Sequence, residues 1–272
     1  MQAVFLTLLF ILGCCFGSFL CCQARRLHAR ETAKGKKHHA KFGSRSVCLS
    51  CNYQLKWYDN IPIFSWLLLR GKCRKCGKKI GLAEFFSELS LGLAFLALGT
   101  TLDINSATVL GWAILIATLI LMLLLGFLAI YDGIYGELPT VYLMSSIACA
   151  IIILCLKEWL ALSITPFSLE NILNPVASLA ILGGLYFILY FASKGKWVGD
   201  GDWLLGTALG LALASPWLAI VTLFIANVLA CLVMAPLMRK TRAKKIYFGP
   251  FMVSAFVITL TFADFFYYAI GG

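Results

Sequence analysis

Long apolar stretches recur along nearly the whole chain and constrain its fold more than any other feature. Each lacks paired charges, and most approach the ~20 residues that an α-helix needs to cross about 30 Å of hydrocarbon. They lie at about 3–22, 85–99, 109–131, 141–156, 176–192, 203–214, 217–238 and 251–270. Hydrophobic residues make up 61% of the sequence and charged residues 13%, against roughly 45–50% and 25% in soluble domains. The sequence therefore predicts an all-α polytopic membrane protein.

The stretch at 203–214 is too short to span a bilayer alone. The charges around it indicate whether it counts as a transmembrane helix. Two lysines between 194 and 196 precede it, and five basic residues between 239 and 245 follow the next stretch. If both basic loops are cytoplasmic, an even number of spans must separate them. Ser215-Pro216 supplies the turn between two such spans. We therefore predict about eight transmembrane helices, the sixth of them short.

The basic residues are concentrated between the first two stretches. Of the 23 Lys and Arg, 15 lie between Arg25 and Lys79, and the positive-inside rule places such a segment in the cytoplasm. The N-terminus is then outside, and the loops at 132–138, 194–202 and 239–245 are cytoplasmic. The net charge of +11 thus lies at the membrane face, which predicts contact with the lipid bilayer and no nucleic-acid partner.

We expect three parts along the chain. These are a first transmembrane helix at 1–22, a cytoplasmic domain at 23–83 and a seven-helix membrane core at 84–272. The segment at 3–22 has no basic region before it, as a signal peptide would have. It is therefore predicted to be retained as the first helix.

The polar insert between the first two helices contains four cysteines in two pairs. Cys48-Leu49-Ser50-Cys51 and Cys73-Arg74-Lys75-Cys76 are separated by 21 residues, one more than the usual range for a four-cysteine zinc site. Zinc binds thiolates tetrahedrally, and four thiolates leave no open position for catalysis. The pattern therefore predicts a structural Zn²⁺ held by Cys48, Cys51, Cys73 and Cys76. Two redox-active or free thiol pairs are the alternative.

Two carboxylates stand at the predicted inner edge of the membrane. Asp132 ends the third stretch, seven residues before Pro139, and Asp202 begins the sixth within Gly199-Asp200-Gly201-Asp202. Ionisable residues at helix ends are often simple interface residues. Two carboxylates from different helices can instead share one proton, so that one activates water while the other polarises a carbonyl. This chemistry of aspartic proteases needs no metal.

Further motifs accompany these residues along most of the chain. They are Gly17-Ser18-Phe19-Leu20 with Arg26, Arg45-Ser46-x-Cys48-x-x-Cys51, Trp57-Tyr58-Asp59-Asn60-Ile61-Pro62, Ser65-Trp66-Leu67, Gly71-Lys72-Cys73-Arg74-x-Cys76, Glu88, Asp132 with Pro139, and Gly199-x-Gly201-Asp202. With them the sequence resembles, nearly end to end, the type IV prepilin peptidases, the leader peptidases of pilus and type II secretion systems. The last motif is weak alone, but its combination with the four cysteines is highly specific.

The resemblance implies an aspartic endopeptidase of the bacterial inner membrane. It would remove the short basic leader from type IV prepilin or pseudopilin precursors at the cytoplasmic face, with Asp132 and Asp202 as catalytic residues. Gly199, Gly201 and Pro139 would support the two motifs. Many members also N-methylate the new amino terminus with S-adenosylmethionine, a second expected cofactor. Basic residues of the cytoplasmic segments would repel a basic leader, so acidic residues near the site must offset them. The candidates for binding the leader are Glu88, Glu137 and Asp200.

The chain departs from the family pattern at a few positions. Thr140 stands where an Asp commonly follows the Leu-Pro, and Leu49 replaces a Pro in the first cysteine pair. Neither removes a catalytic acid or a thiol. Two other classes of protein stay open on the residues alone. A proton-coupled transporter would use both acids as relays near the bilayer midplane, and a membrane scaffold would tolerate loss of either acid.

Overall fold

The computed structural model describes residues 1–33, 46–48, 50–101, 108–162, 166–196, 198–241 and 247–268. Arg45 and Leu49, and most of the predicted basic loop at 239–245, lie outside this part of the chain. The chain folds into two compact units, Met1–Gly99 and Thr100–Gly272.

Helices make up nearly all regular structure in the described residues. In unit 1 they are α1 (Gln2–Ala33), a 3₁₀ turn (Trp57–Asn60), α2 (Phe64–Leu68) and α3 (Leu82–Thr100, which ends one residue beyond the unit). In unit 2 they are α4 (Val109–Tyr135), α5 (Thr140–Leu162), α6 (Glu170–Leu179), a π turn (Ala180–Gly184), α7 (Leu185–Ser193), α8 (Asp200–Leu213), α9 (Pro216–Thr241), α10 (Gly249–Thr261) and α11 (Ala263–Tyr268).

Each predicted apolar stretch is helical where the structure describes it, although the stretches at 176–192 and 251–270 each contain more than one helical element. Within the described residues, six helices are long and apolar enough to cross a membrane: α1, α3, α4, α5, the continuous helix through α6 and α7, and α9. The helix α8 has 14 residues and α10 has 13. The prediction of an all-α polytopic membrane protein is confirmed. Of the eight predicted spans, six are long enough to cross a membrane, and the predicted sixth and eighth correspond to the shorter helices α8 and α10.

Two ends of helices differ from the sequence prediction. Past the apolar stretch, α1 continues to Ala33, because its basic C-terminal part contains no helix-breaking residue. The last stretch is not one helix, since Phe262 leaves the helical region and separates α10 from α11. Asp264 lies in the first turn of α11, where a negative charge is favourable.

In unit 1, glycines allow the backbones of α1 and α3 to approach closely. A Cβ added at Gly13 would lie 2.6 Å from the carbonyl oxygen of Leu91, and one at Gly17 would lie 2.7 Å from Glu88 Cα. Small residues four apart are a common way for membrane helices to pack. The crossing fixes the part of α3 that carries Glu88.

A second close crossing in unit 2 holds the short helix α8. A Cβ at Gly206 would lie 2.7 Å from the Leu182 carbonyl oxygen, and one at Gly210 would lie 2.8 Å from that of Ser178. The buried hydroxyl of Ser178 also donates a 2.8 Å hydrogen bond to the Gly210 carbonyl. At the far end of α8, Lys157 Nζ lies 3.3 Å from the carbonyl oxygen of Ala212. These contacts fix the position from which Asp202 projects.

Candidate functional site

Asp132 is held at the C-terminal end of α4. Its carbonyl accepts a 2.7 Å hydrogen bond from Gly136, a left-handed residue (φ 70°) that ends the helix. Its side chain is only 6% exposed, and Oδ2 accepts a 2.9 Å hydrogen bond from the backbone N–H of Gly249. Because Gly249 begins α10, the carboxylate lies at a helix N-terminus, where negative charge is stabilised.

Asp202 lies in the first turn of α8. Its Oδ2 accepts a 3.0 Å hydrogen bond from the backbone N–H of Gly199, which caps the start of the helix. Its side chain is half-buried, whereas Gly201 beside it is buried. The second candidate acid therefore also sits at a helix N-terminus, in this case that of its own helix.

The two motifs meet through Gly201 and Leu138. A Cβ added at Gly201 would lie 2.6 Å from Leu138 Cβ and 2.8 Å from its Cδ1. Leu138 belongs to the short connection between α4 and α5, just before Pro139. The second glycine of the Gly-x-Gly-Asp motif thus provides the space in which the Leu-Pro of the first motif packs.

The start of α10 joins the same region from a third direction. A Cβ at Gly136 would lie 2.5 Å from Cε1 of the Tyr247 ring, and one at Gly133 would lie 3.5 Å from Pro250 Cγ. Nearby, the Phe248 ring packs edge-on against Tyr186, with the ring centroids 5.5 Å apart. The C-terminal end of α4 and the N-terminal ends of α8 and α10 therefore converge at one end of unit 2.

Sequence reasoning did not identify Gly249 or Tyr186. The Gly249-Pro250 pair is typical of a helix start, but nothing in the sequence indicates that it contacts Asp132. Tyr186 is nearly fully buried, 4% exposed, and its ring packs against Phe248. A tyrosine in an apolar helix gives no signal of this kind.

The three leader-binding candidates lie in different surroundings. Glu137 and Asp200 are exposed and flank the two motifs. Glu88 is 6% exposed, and its Oε2 accepts a 2.6 Å hydrogen bond from the backbone N–H of Ile63. Ile63 has φ 62° and ψ −55°, a conformation that β-branched residues rarely adopt. In the structure, Glu88 thus fixes a tight turn of the insert.

The four cysteines of the insert form one cluster. Their Sγ atoms all lie within 4.8 Å of one another, and those of Cys48 and Cys76 are 3.9 Å apart. A tetrahedral ion with Zn–S bonds of about 2.3 Å has S–S edges of about 3.8 Å. The cluster can therefore hold a metal ion.

The two cysteine pairs have the same backbone structure. Cys48 and Cys73 each accept a 2.9 Å hydrogen bond at their carbonyl, from Asn52 and Gly77 respectively. Asn52 and Gly77 are both left-handed, with φ 53° and 67°. Each pair is closed by an isolated antiparallel bridge, between 47 and 54 and between 72 and 79. These matching turns present two sulfurs each to a common centre.

An ion pair connects the second cysteine pair to the aromatic motif before it. Arg74 Nε donates a 2.7 Å hydrogen bond to Asp59 Oδ1, and Oδ2 of the same carboxylate accepts from the Lys56 backbone. The Arg74 guanidinium also lies over the Tyr58 ring, 5.0 Å from its centroid. The bond to Asp59 raises the pKa of Arg74 above its ordinary value. The Trp57–Asn60 turn and the cysteine cluster thus form one small domain.

Comparison with known proteins supports a common origin. Residues 11–102 match the Bacterial Peptidase A24 N-terminal domain. Over 228 residues the chain is 33% identical to a prepilin leader peptidase/N-methyltransferase of Neisseria gonorrhoeae, covering 78% of this chain and 70% of that protein. No solved structure matches the chain significantly.

Other relatives match a shorter part of the chain at higher identity. The prepilin leader peptidase/N-methyltransferase of Vibrio cholerae is 40% identical over 90 residues, which are 33% of this chain and 36% of that protein. The protein of the same name from Myxococcus xanthus is 39% identical over 94 residues, or 35% of this chain and 26% of that protein. The chain thus spans about a third or less of these two relatives in the aligned regions.

Proposed function

Because the chain belongs to the prepilin leader peptidase/N-methyltransferase family, we propose that it is an aspartic endopeptidase with Asp132 and Asp202 as its catalytic residues. Its substrates would be type IV prepilin or pseudopilin precursors, from which it removes the short basic leader. The observation that carries this proposal is the contact of Gly201 with Leu138, through which the segments bearing the two acids pack against each other.

The chemistry follows from two carboxylates in one site. One carboxylate, in its ionised form, takes a proton from water as the water oxygen attacks the scissile carbonyl. The other, in its protonated form, donates to the carbonyl oxygen, and the resulting tetrahedral intermediate breaks down when the leaving nitrogen is protonated. Like charges close together cannot both ionise easily, which favours this division of roles.

The remaining motif residues support this arrangement. Gly199 provides the backbone N–H that binds Asp202, Gly201 admits Leu138, and Pro139 precedes the first residue of α5. The exposed carboxylates of Glu137 and Asp200 are suitably placed beside the motifs to attract a basic leader. Glu88 would act in a different way, by fixing the insert through Ile63.

The distribution of basic residues supports a cytoplasmic orientation for the site. With the segment between Arg25 and Lys79 inside, the N-terminus is outside and the ends of α4 and α8 that carry the acids face the cytoplasm. The chain would then lie in the bacterial inner membrane, with its insert on the cytoplasmic side. Functionally we divide it into the first helix (1–22), the metal-binding insert (23–83) and the peptidase core (84–272).

The metal that suits the cysteine cluster best is Zn²⁺. Four thiolate ligands would leave no open coordination position, so the ion would be structural. Its binding would contribute to folding of an insert that has little apolar core of its own. Cys48, Cys51, Cys73 and Cys76 would be its ligands.

The relatives' second activity suggests a second step after cleavage. The new N-terminal amine would be methylated, and S-adenosylmethionine is the methyl donor that this step needs.

To test this proposal, the protein is co-expressed with a pilin-like precursor, and cleavage is measured in membranes. The mature N-terminus is identified by intact mass for the wild type, Asp132→Asn, Asp202→Asn and the control Asp264→Asn, whose exposed residue lies on α11. We expect cleavage by the wild type and the control. In Asp132→Asn and in Asp202→Asn, the rate of cleavage should fall about a thousandfold or more. Cleavage that persists in both dyad variants, at normal levels of folded protein, rules out the aspartic mechanism.

A further inference from the structure

The short helix α2 of the insert has one exposed apolar face. Three of its residues form this outer face: Phe64, Leu67 and Leu68, which are 67%, 52% and 82% exposed. Residues at positions i, i+3 and i+4 lie on the same side of a helix. The other side of α2 is turned inward, where Ser65 and Trp66 line a cavity of unit 1 together with Glu84. The exposed apolar side chains of α2 are therefore confined to one face.

Apolar exposure continues on both sides of α2 in the sequence. Trp57 and Ile61 precede it and are exposed, and so is Phe86 on α3. Single apolar residues are normal on a surface that faces water, whereas a group of them indicates a partner or a membrane. Since α3 is long and apolar enough to cross a membrane, Phe86 lies against lipid. Tryptophan is enriched at membrane interfaces, which suits the exposed Trp57.

A hydrogen bond fixes the depth of α2 beside the membrane helices. The backbone N–H of Ile63, the residue before α2, donates a 2.6 Å hydrogen bond to Glu88 Oε2. The ion pair of Arg25 with Glu84 marks the polar edge of α1 and α3. Glu88 lies one turn beyond Glu84, or about 6 Å further into α3. It contacts α1 at Gly17, inside the first apolar stretch, so α2 begins below the charged edge of the membrane helices.

We propose that the outer face of α2 lies in the membrane interface and binds the phospholipids of the leaflet next to the insert. Interfacial helices bury their apolar face about 5–10 Å into the boundary between headgroups and acyl chains, which matches the depth set by Glu88. A backbone donor at that depth has no water to bind and needs a partner in the protein. Glu88 provides this partner for Ile63.

The charges around the outer face favour anionic lipids. Lys56 precedes the aromatic turn, Arg70 and Lys72 follow α2, and all three are exposed. Basic residues beside an apolar segment are attracted to the anionic headgroups of a membrane surface. A second copy of this chain on the same face would bring the same cations into proximity, and like charges repel. The lipid surface is therefore the occupant that suits both the apolar face and its basic flanks.

The experiment maps lipid contact on the purified full-length protein with its metal bound. The protein is reconstituted in vesicles of phosphatidylethanolamine and phosphatidylglycerol that contain a trace of phospholipid with a diazirine in one acyl chain. After illumination, the labelled residues are identified by mass spectrometry. The internal control is Leu93, an exposed residue further along α3.

We expect the outer face of α2 to be labelled at a level comparable to Leu93, and several-fold more than Ser65 and Trp66 on the inner side. A wild type labelled at Leu93 but not on the outer face overturns the inference. Cross-linked dimers joined through α2, without lipid adducts there, overturn it in favour of a second copy of the chain.

A matched pair of variants tests how the depth is fixed. Glu88→Leu removes the acceptor for the Ile63 N–H, so label on the outer face should fall about tenfold, the loss of one good hydrogen bond. Glu88→Gln keeps an acceptor oxygen and should retain the label within a few-fold. Label on Leu93 should be the same in both variants. An equal fall in the two variants would contradict the role given to this hydrogen bond.

The preference for anionic lipid is tested by placing the diazirine on phosphatidylglycerol or on phosphatidylcholine. The outer face should take several-fold more label from phosphatidylglycerol, whereas Leu93 should take equal label from both. The double variant Lys56→Gln/Arg70→Gln should lose this preference. Equal labelling of the wild-type outer face by the two lipids would contradict the part assigned to the basic flanks. These readouts need no precursor, so they are independent of the outcome of the cleavage assay.

Discussion

The backbone N–H of Gly249 donates a 2.9 Å hydrogen bond to Oδ2 of the buried Asp132, across 117 positions of sequence. A Cβ at position 249 would lie 2.8 Å from that oxygen and 3.3 Å from the Asp132 Cβ and Cγ. Real Cβ atoms do not approach an oxygen so closely without displacing it. The first residue of α10 therefore determines where the carboxylate of α4 can stand.

We predict that Gly249→Ala lowers the rate of precursor cleavage by about a hundredfold, because displacing a catalytic group by about 1 Å can have an effect of that size. The matched control is Gly133→Ala, next to Asp132, where the new Cβ would meet only Pro250 Cγ at 3.5 Å. We expect this control to retain its rate within a few-fold. The measurement is the cleavage rate in membranes at equal amounts of folded protein. Equal rates for the two variants would show that the Gly249 contact has no role in positioning Asp132.

We predict that Gly201→Ala is more damaging than Gly199→Ala, although both glycines belong to one motif. At 201 the new Cβ would lie 2.6 Å from Leu138 Cβ, whereas at 199 it would lie 3.3 Å from a carboxylate oxygen of Asp202 that can shift slightly. Overpacking of this kind typically costs 1–3 kcal/mol. Thermal unfolding and cleavage should both follow this order. Gly184→Ala, with only Ala180 Cβ near at 3.9 Å, should match the wild type, and the reverse order would count against the contact between the motifs.

We predict that Cys73→Ser releases zinc and lowers the stability of the protein. Cys73 is buried in the cluster, and removing one of four ligands leaves a site that binds zinc weakly. Cys155→Ser is the control, because Cys155 is exposed on α5 and has no part in the cluster. Metal content by mass spectrometry and the unfolding temperature report the two effects. A normal zinc content in Cys73→Ser would end the assignment of this ligand.

We predict that Cys48 of the metal-free protein is alkylated rapidly at neutral pH. A backbone hydrogen bond from Ser50 is the largest cause that lowers the pKa of this thiol, from an ordinary value of 9.0 to about 6. The stability that this bond adds to the folded form is therefore present above pH 9 and lost as the pH falls through about 6. Pulsed iodoacetamide labelling, read by mass spectrometry, should give a midpoint near pH 6. A midpoint unchanged from that of the unfolded chain would contradict the prediction.

The apolar pattern alone predicted most of the architecture. The need for about 20 apolar residues per span located the long helices, and the even number of passes between basic loops identified α8 as a helix although it has only 14 residues. The break at Phe262 was not predictable in this way, because hydropathy continues across it. The crossing of α1 and α3 through Gly13 and Gly17 also escaped the pattern, since glycines in an apolar run look like ordinary small residues.

The sequence by itself determined the chemistry available to this protein: four thiols at metal-ligand spacing and two acids in recognisable motifs. Composition and spacing suffice for this, because ligand type and helix periodicity are local properties. Only the tertiary structure showed that the Gly249 backbone contacts Asp132 and that Leu138 packs against Gly201. It also placed Trp66 and Glu84 in the lining of one cavity. These contacts join distant segments whose close approach depends on the absence of a Cβ or on one rotamer, and no local pattern encodes either.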